Sequence, residues 1–341
     1  MQDTVATDTK KWDTVVEISG VTKYFDQSRP VSLFRREKQR IYALKDVSFT
    51  LKKGEFVAYA GPNGAGKSTT FKLLSGMLCP QEGSVRIFGL DPNKHRIPVM
   101  KRVGILFGNR SELWWDHPVK ASFEWKREVW GIEEETYKRV CQEMKELLDL
   151  EDIWNGYARE LSLGQRMRAN LALMLLHEPE LVLLDEPTLG LDVLAKRQMI
   201  DFLKKINRDK QVTILVTSHD MDDLTEMANR ILLINQGEIA FDGDYEKLIR
   251  MTGDKRILKL RVKGDAPVLE GTRYLGLEDG KHLYGYDASR TAISEIFGSI
   301  AGIHTVEDVE LGHEAIEQVI AGLYEKWKQE EGCISDATDT E

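Results

Sequence analysis

The chain has 341 residues, 30% charged and 42% hydrophobic, with a formal net charge of −9. That length suggests about two domains, each with room for a full hydrophobic core, and the acid excess excludes a chain that binds nucleic acid by overall electrostatics. No apolar run approaches the roughly 20 residues of a bilayer-crossing helix, the first residues lack the apolar stretch of a signal peptide, and Cys79, Cys141 and Cys333 suit a reducing cytoplasm rather than a disulfide framework or zinc site.

In chain order, residues 15–18 read as a strand, followed by a polar and basic insert over 26–40. Its Ser32, Leu33, Phe34, Arg35, Arg36, Lys38 and Arg40 have the composition of a solvated loop. Strands are expected over 47–51, which alternates apolar and polar residues, and over the apolar run 56–60. Phe71, Leu73, Leu74 and Met77 then give helical spacing. Residues 84–88 and 103–107 follow as strands. From 111 to about 160 the texture becomes charged, Trp-rich and helical. Its clearest helix spans 134–150, with Tyr137, Val140, Met144, Leu147 and Leu148 on one side. A helix over 167–176 leads into apolar strands at 181–184, 212–216 and 230–234. Short apolar runs separated by helical patterns imply a largely parallel sheet with helices on its faces.

A boundary is expected at Gly253 and Asp254. Beyond it, Leu258, Leu260 and Val262 alternate as in a strand. Ile293, Ile296, Phe297 and Ile300 mark one helix face, and Ile316, Val319, Ile320, Leu323, Tyr324 and Trp327 mark another. The chain thus reads as an α/β domain over 14–250 with a helical subdomain at about 111–165. A small α+β domain over 254–328 and a disordered acidic tail over 329–341 complete it.

The chemistry is concentrated in Gly61, Pro62, Asn63, Gly64, Ala65, Gly66, Lys67, Ser68 and Thr69, which fit the spacing of a phosphate-binding loop between a strand and a helix. Glycines let successive N–H groups turn inward on an anion, and the helix start adds partial positive charge. Lys67 would reach the outer phosphates, and Ser68 would ligate Mg²⁺. The strand at 181–184 ends in Asp185 and Glu186. Beside a phosphate loop, Asp185 is placed to hold Mg²⁺ through water and Glu186 to polarise an attacking water as general base; alone, the pair equally suits a solvated turn. Ser162, Gly164 and Gln165 precede a helix whose N-terminus could meet a phosphate, although Ser-x-Gly-Gln is also a plain helix cap. His219 closes another core strand within reach of a γ-phosphate, in a position a structural histidine could also occupy.

In the order phosphate loop, Leu161-Ser162-Leu163-Gly164-Gln165, Asp185-Glu186, Asp192 and His219, the chain resembles the ATPase subunits of ABC transporters over roughly residues 14–250. Phe107 to Arg110, Leu113 to Asp116 and the small C-terminal domain resemble the exporter-type subgroup with separately encoded permease subunits. The resemblance implies a phosphate-loop NTPase core: a mixed, mostly parallel sheet, an antiparallel β subdomain and a helical subdomain. It implies ATP and Mg²⁺ as cofactors and a second ATPase subunit, identical or a related paralogue, paired head to tail. Each ATP would lie between one subunit's phosphate loop and the other's Ser162–Gln165 segment, with Phe25, or Tyr24 as runner-up, stacking on adenine. It further implies hydrolysis coupled to export, integral membrane permeases as partners, no nucleic acid, and a peripheral place on the cytoplasmic face of the membrane. The basic insert would lie against the permease or anionic lipid, and Trp114 and Trp115 would line the groove that receives a permease helix. Two residues depart from the family pattern: Leu163 stands for a glycine, and Asn109 is the nearest amide to the expected Mg²⁺- and water-contacting glutamine. A non-transport ATPase of the same core is the alternative. It is opposed by a single phosphate loop, the absence of a long coiled coil between Lys67 and Ser162, and the acidic balance.

Overall fold

Short apolar runs without alternation form strands covered on both faces, and here they build the centre of the fold. The computed structural model describes residues 13–32, 35–108, 110–218, 220–252, 255–262, 266–300 and 306–313. Two long strands come first, β1 (Thr14–Ser32) and β2 (Arg35–Lys52), followed by β3 (Phe56–Ala60), α1 (Lys67–Leu74), β4 (Glu82–Ile87), α2 (Arg96–Met100) and β5 (Val103–Phe107). Next are α3 (Val119–Trp130), α4 (Glu134–Leu148) and α5 (Leu163–Leu175). Alternation resumes with β6 (Leu181–Asp185), α6 (Val193–Lys210), β7 (Thr213–Thr217), α7 (Met221–Met227), β8 (Arg230–Asn235) and β9 (Glu238–Gly243). The remainder is α8 (Tyr245–Thr252), β10 (Lys255–Val262), β11 (Thr272–Glu278), β12 (Lys281–Asp287), α9 (Ile293–Ile300) and β13 (Val306–His313).

The chain divides into two compact units, Met1–His219 with Asp223–Asp242, and Asp220–Asp222 with Gly243–Glu341. In the first, a six-stranded sheet has the order β5-β6-β7-β3-β8-β9, and β5, β6, β7, β3 and β8 run parallel. Parallel pairing sends the ends of these strands to one edge of the sheet, so the residues after Ala60, Phe107, Asp185 and Thr217 become neighbours. A three-stranded antiparallel sheet, order β2-β1-β4, carries Val16, Ile18, Leu44 and Leu51 into a shared core with Tyr59, Phe71, Leu74 and Leu183. In the second unit, a four-stranded antiparallel sheet of order β11-β12-β10-β13 buries Leu258, Leu260, Tyr284 and Tyr286 against Ile296 of α9.

Two sequence expectations are corrected. The insert over 26–40 is no loop: β1 and β2 continue through it as a two-stranded ribbon, with Phe25 opposite Ile41, Asp26 opposite Arg40 and Ser32 opposite Arg35. β4 follows β1 only as far as Thr22 opposite Glu82, so the ribbon extends beyond the three-stranded sheet. Its cross-strand aromatic pair, Tyr24 and Tyr42 with ring centroids 5.6 Å apart, supplies the pairing that its polar composition concealed. The helix expected from 167 starts four residues earlier, at Leu163, because Ser162 caps it. The division between the units falls at Asp242 and Gly243, so α8 is counted with the second unit. Gly253, Asp254, the helix expected over 316–327 and the tail over 329–341 lie outside the described residues.

Candidate active site

β3 is buried along its whole length and delivers the chain into the loop at Gly61. Two loop glycines are fixed by space. A Cβ on Gly61 would sit 2.3 Å from the Ile234 carbonyl oxygen, and one on Gly66, at φ 118, would sit 2.5 Å from that of Ala43. The turn between β8 and β9 braces the loop from behind: Gly237 N–H donates to Ala65 O at 3.1 Å, and Lys45 N–H donates to Gly237 O at 2.7 Å. Gln236 and Gly237 both have positive φ, 46° and 87°, as a tight two-residue hairpin turn requires. Pro62, Asn63, Gly64 and Ser68 are exposed, with Ser68 in the first turn of α1, while Ala65 and Lys67 are buried and Thr69 is half-buried. Lys67 Nζ donates to Gly61 O at 2.6 Å and to Pro62 O at 3.2 Å, so the ammonium lies across the loop. Burial lowers its pKa, and the charges of Glu186 and Asp185 oppose that shift. The three charged groups therefore share one site.

Register brings the acids there. Phe107, Asp185 and Thr217 are cross-strand neighbours on β5, β6 and β7. The Thr217 hydroxyl donates to Asp185 Oδ1 at 2.7 Å. Glu186 has a left-handed backbone, φ 57. Its N–H donates to Thr217 O and Thr217 Oγ1, both at 3.1 Å. Gly108 N–H donates to Asp185 O at 2.9 Å, fixing the start of the segment after β5. Asn109 and His219, which follow Gly108 and Ser218, lie outside the described residues. Among the described residues no cluster of three or more His, Cys, Asp or Glu side chains is arranged to hold a metal. Ser68 and Asp185 are instead a sparse set of hard oxygen donors, which suits Mg²⁺ completed by phosphate oxygens and water.

Ser162 is the N-cap of α5 in a complete capping box: its Oγ accepts from Gln165 N–H at 3.2 Å, and Gln165 Oε1 accepts from Ser162 N–H at 2.9 Å. Within one chain, Ser162 and Gln165 thus bond to each other. Gly164 is half-buried, and a Cβ there would reach Ala195 at 3.5 Å. Leu163 leans onto Gly190, where an added Cβ would lie 2.8 Å from Leu163 Cδ2. Asp192 caps α6 through Oδ1, which accepts from Ala195 N–H at 2.8 Å. On the ribbon, Tyr24 is engaged by Tyr42 and by the Arg40 guanidinium 4.8 Å from its ring centroid, and Phe25, 44% exposed, has the Lys23 ammonium 5.4 Å from its ring centroid. Trp114 and Trp115 are exposed; Trp114 packs on Trp125 at 5.5 Å, and the Arg166 guanidinium lies 5.1 Å over Trp115. Sequence reasoning missed Thr217. Its signal was a polar residue after the apolar Ile214, Leu215 and Val216, at a buried strand end where a hydroxyl must find a partner.

The family model described as ABC transporter matches residues 44–189. The ATP-binding protein NatA of Bacillus subtilis is 31% identical over 215 residues, 63% of this chain and 87% of the relative. The energy-coupling factor transporter ATP-binding protein EcfA of Methanococcus maripaludis is 33% identical over 231 residues, 67% of this chain and 83% of the relative. Among solved structures, an ATP-binding cassette captured as a dimer bound to ADP and Pi superposes with a TM-score of 0.58 at 27% identity, covering 67% of this chain and 98% of that one. Agreement in fold and in sequence over most of the length of these relatives means that the chain belongs to the ATP-binding subunits of ABC transporters, ATPases coupled to transport.

Proposed function

We propose that this subunit binds Mg²⁺-ATP at the edge of the sheet and hydrolyses it within a head-to-tail dimer that drives permease subunits. The convergence of Lys67, Asp185 and Glu186 at the phosphate loop carries the reading. Loop N–H groups and Lys67 bind the phosphates, leaving the carbonyls of Gly61 and Pro62 for the charge of the nucleotide. Ser68 and Asp185 hold Mg²⁺, which when bound offsets phosphate charge. Glu186 takes the proton of the attacking water. Phe25, the exposed ring of its pair, stacks on adenine. The same reading gives His219 the γ-phosphate and Asn109 the positioning of the water. The Ser162–Gln165 segment serves the ATP of the partner, and exposed apolar residues around it, Leu163, Leu189, Val193 and Leu194, support a buried subunit interface there. Trp114, Trp115 and Trp125 form the groove for a permease helix. Export is the direction this reading favours, from the segments Phe107–Arg110 and Leu113–Asp116; uptake of substrate by vesicles with the complex inverted tests it.

The decisive experiment is Glu186→Gln in the full chain. Steady-state hydrolysis falls to background while ATP binding survives, and trapped ATP holds a dimer visible by size-exclusion chromatography. Lys67→Ala instead weakens nucleotide binding. Equal ATP affinity in the two variants overturns the assignment of roles. Purification from detergent-solubilised membranes that yields only soluble partners overturns the assignment of permeases.

A further inference from the structure

Thr217 is fully buried at the end of β7, between the two acids of the site, and touches both. The direction of its hydrogen bonds is fixed. An N–H can only donate, so Oγ1 accepts from Glu186 and must turn its own proton to the carboxylate of Asp185. This makes a polarised chain, Glu186 N–H to Thr217 O–H to Asp185 Oδ1, in which successive hydrogen bonds strengthen one another. Two consequences follow. One oxygen of Asp185 is committed to the protein, which turns the other toward the cation. The left-handed backbone of Glu186, φ 57, is a conformation that non-glycine residues adopt at a cost, and the paired acceptors Thr217 O and Oγ1 hold it there.

We propose that Thr217 is a positioning residue for hydrolysis: a single hydroxyl that sets the carboxylate of Asp185 for Mg²⁺ and the backbone of Glu186 for the attacking water. The inference rests on the roles given above to Asp185 and Glu186. It predicts coupled losses, because one hydroxyl acts on the cation and on the base together.

The test compares Thr217→Val, which keeps the shape and removes the hydroxyl, with Thr217→Ser, which keeps the hydroxyl, and with Thr217→Ala as a second variant lacking it. Equilibrium binding of a fluorescent ATP analogue is titrated with Mg²⁺, and turnover is measured alongside. In the Val and Ala variants the Mg²⁺ concentration that half-saturates tight binding rises about fivefold and kcat falls about tenfold, while binding without Mg²⁺ is unchanged; Ser restores both. A lower melting temperature in Val and Ala with wild-type Mg²⁺ dependence shows a purely structural threonine and overturns the proposal, as does a Ser variant as impaired as Val. Asp185→Asn and Glu186→Gln run in parallel. Wild-type turnover in those two overturns the underlying roles instead, and the two failures are distinct.

Discussion

Gly190 sits at φ 74, and the space its missing Cβ leaves is occupied by Leu163, the residue that replaces the family glycine in the Ser162–Gln165 segment. Gly190→Ala therefore meets two costs, a left-handed backbone of about 1 kcal/mol and a clash with a branched side chain. We expect a melting temperature lowered by a few degrees and slower turnover. Adding Leu163→Ala removes the clash and leaves the backbone cost, so a double-mutant cycle returns a coupling of about 1 kcal/mol. Zero coupling means the two residues do not pack. His177 offers a second test at this scale. Its ring stacks on Trp130 at 4.3 Å, its Nε2 lies 3.1 Å from Val103 O, and neighbouring Lys126 is paired with Glu112. Burial, reinforced by the charge of Lys126, pushes its pKa down from 6.5 to about 4. The native ring stays neutral while the unfolded one takes up a proton, so stability is full above pH 6.5 and is lost as pH falls toward 4. The loss amounts to about 3 kcal/mol at the low end. Denaturant melts of His177→Gln across this range should show a flatter pH dependence than wild type.

The capped start of α5 and the ribbon of β1 and β2 are the elements on which coupling to partners depends. Ser162→Ala removes one half of the capping box and should cost about 1 kcal/mol in chemical denaturation. The sequence of the ribbon contains Arg35, Arg36, Lys38 and Arg40 in an otherwise acidic chain. Neutralising all four should leave the ATPase activity of the isolated subunit intact and lower recovery of the membrane complex relative to wild type, most at low salt, where screening is weakest. Equal recovery at every salt concentration assigns the ribbon no such contact. These elements differ in how legible they were. β5, residues 181–184 of β6 and residues 231–234 of β8 stand in the sequence as unbroken apolar runs, because a strand covered on both faces needs nothing else. The described outer side chains of the ribbon, residues 25–27 and 39–42, are exposed, and such a stretch reads as loop. β11 also hid, since Tyr274, Leu275 and Leu277 are exposed and leave no burial pattern. Even so, Asp279 and Gly280, both at positive φ, are a dipeptide that marks its hairpin with β12. At the site, loop spacing announced Lys67 and the strand end announced Asp185 and Glu186. Thr217 needed the parallel register, which no local pattern encodes.

The two units share no sheet and each has its own buried cluster, Leu73, Leu183 and Leu232 among the residues of one, Leu258, Tyr284 and Ile296 of the other. Such a division predicts that a chain shortened to residues 13–244 melts cooperatively and keeps its ATPase activity. Aggregation of that fragment, or a melt without a cooperative transition, would assign the second unit to the stability of the first. The placement of tryptophan bears on how such experiments can be read. Trp114, Trp115, Trp125, Trp130 and Trp154, all the tryptophans among the described residues, fall in the helical segment between β5 and α5, and none lies in a sheet. Intrinsic fluorescence from these five is therefore a regional probe. It reports what happens around α3 and α4, where Trp114 and Trp125 are close enough at 5.5 Å for their transitions to couple in circular dichroism. Trp12 and Trp327 lie outside the described residues; with both replaced by phenylalanine, emission that shifts with nucleotide reads the helical segment, and the β-sheet of the second unit, then without tryptophan, unfolds unseen by it.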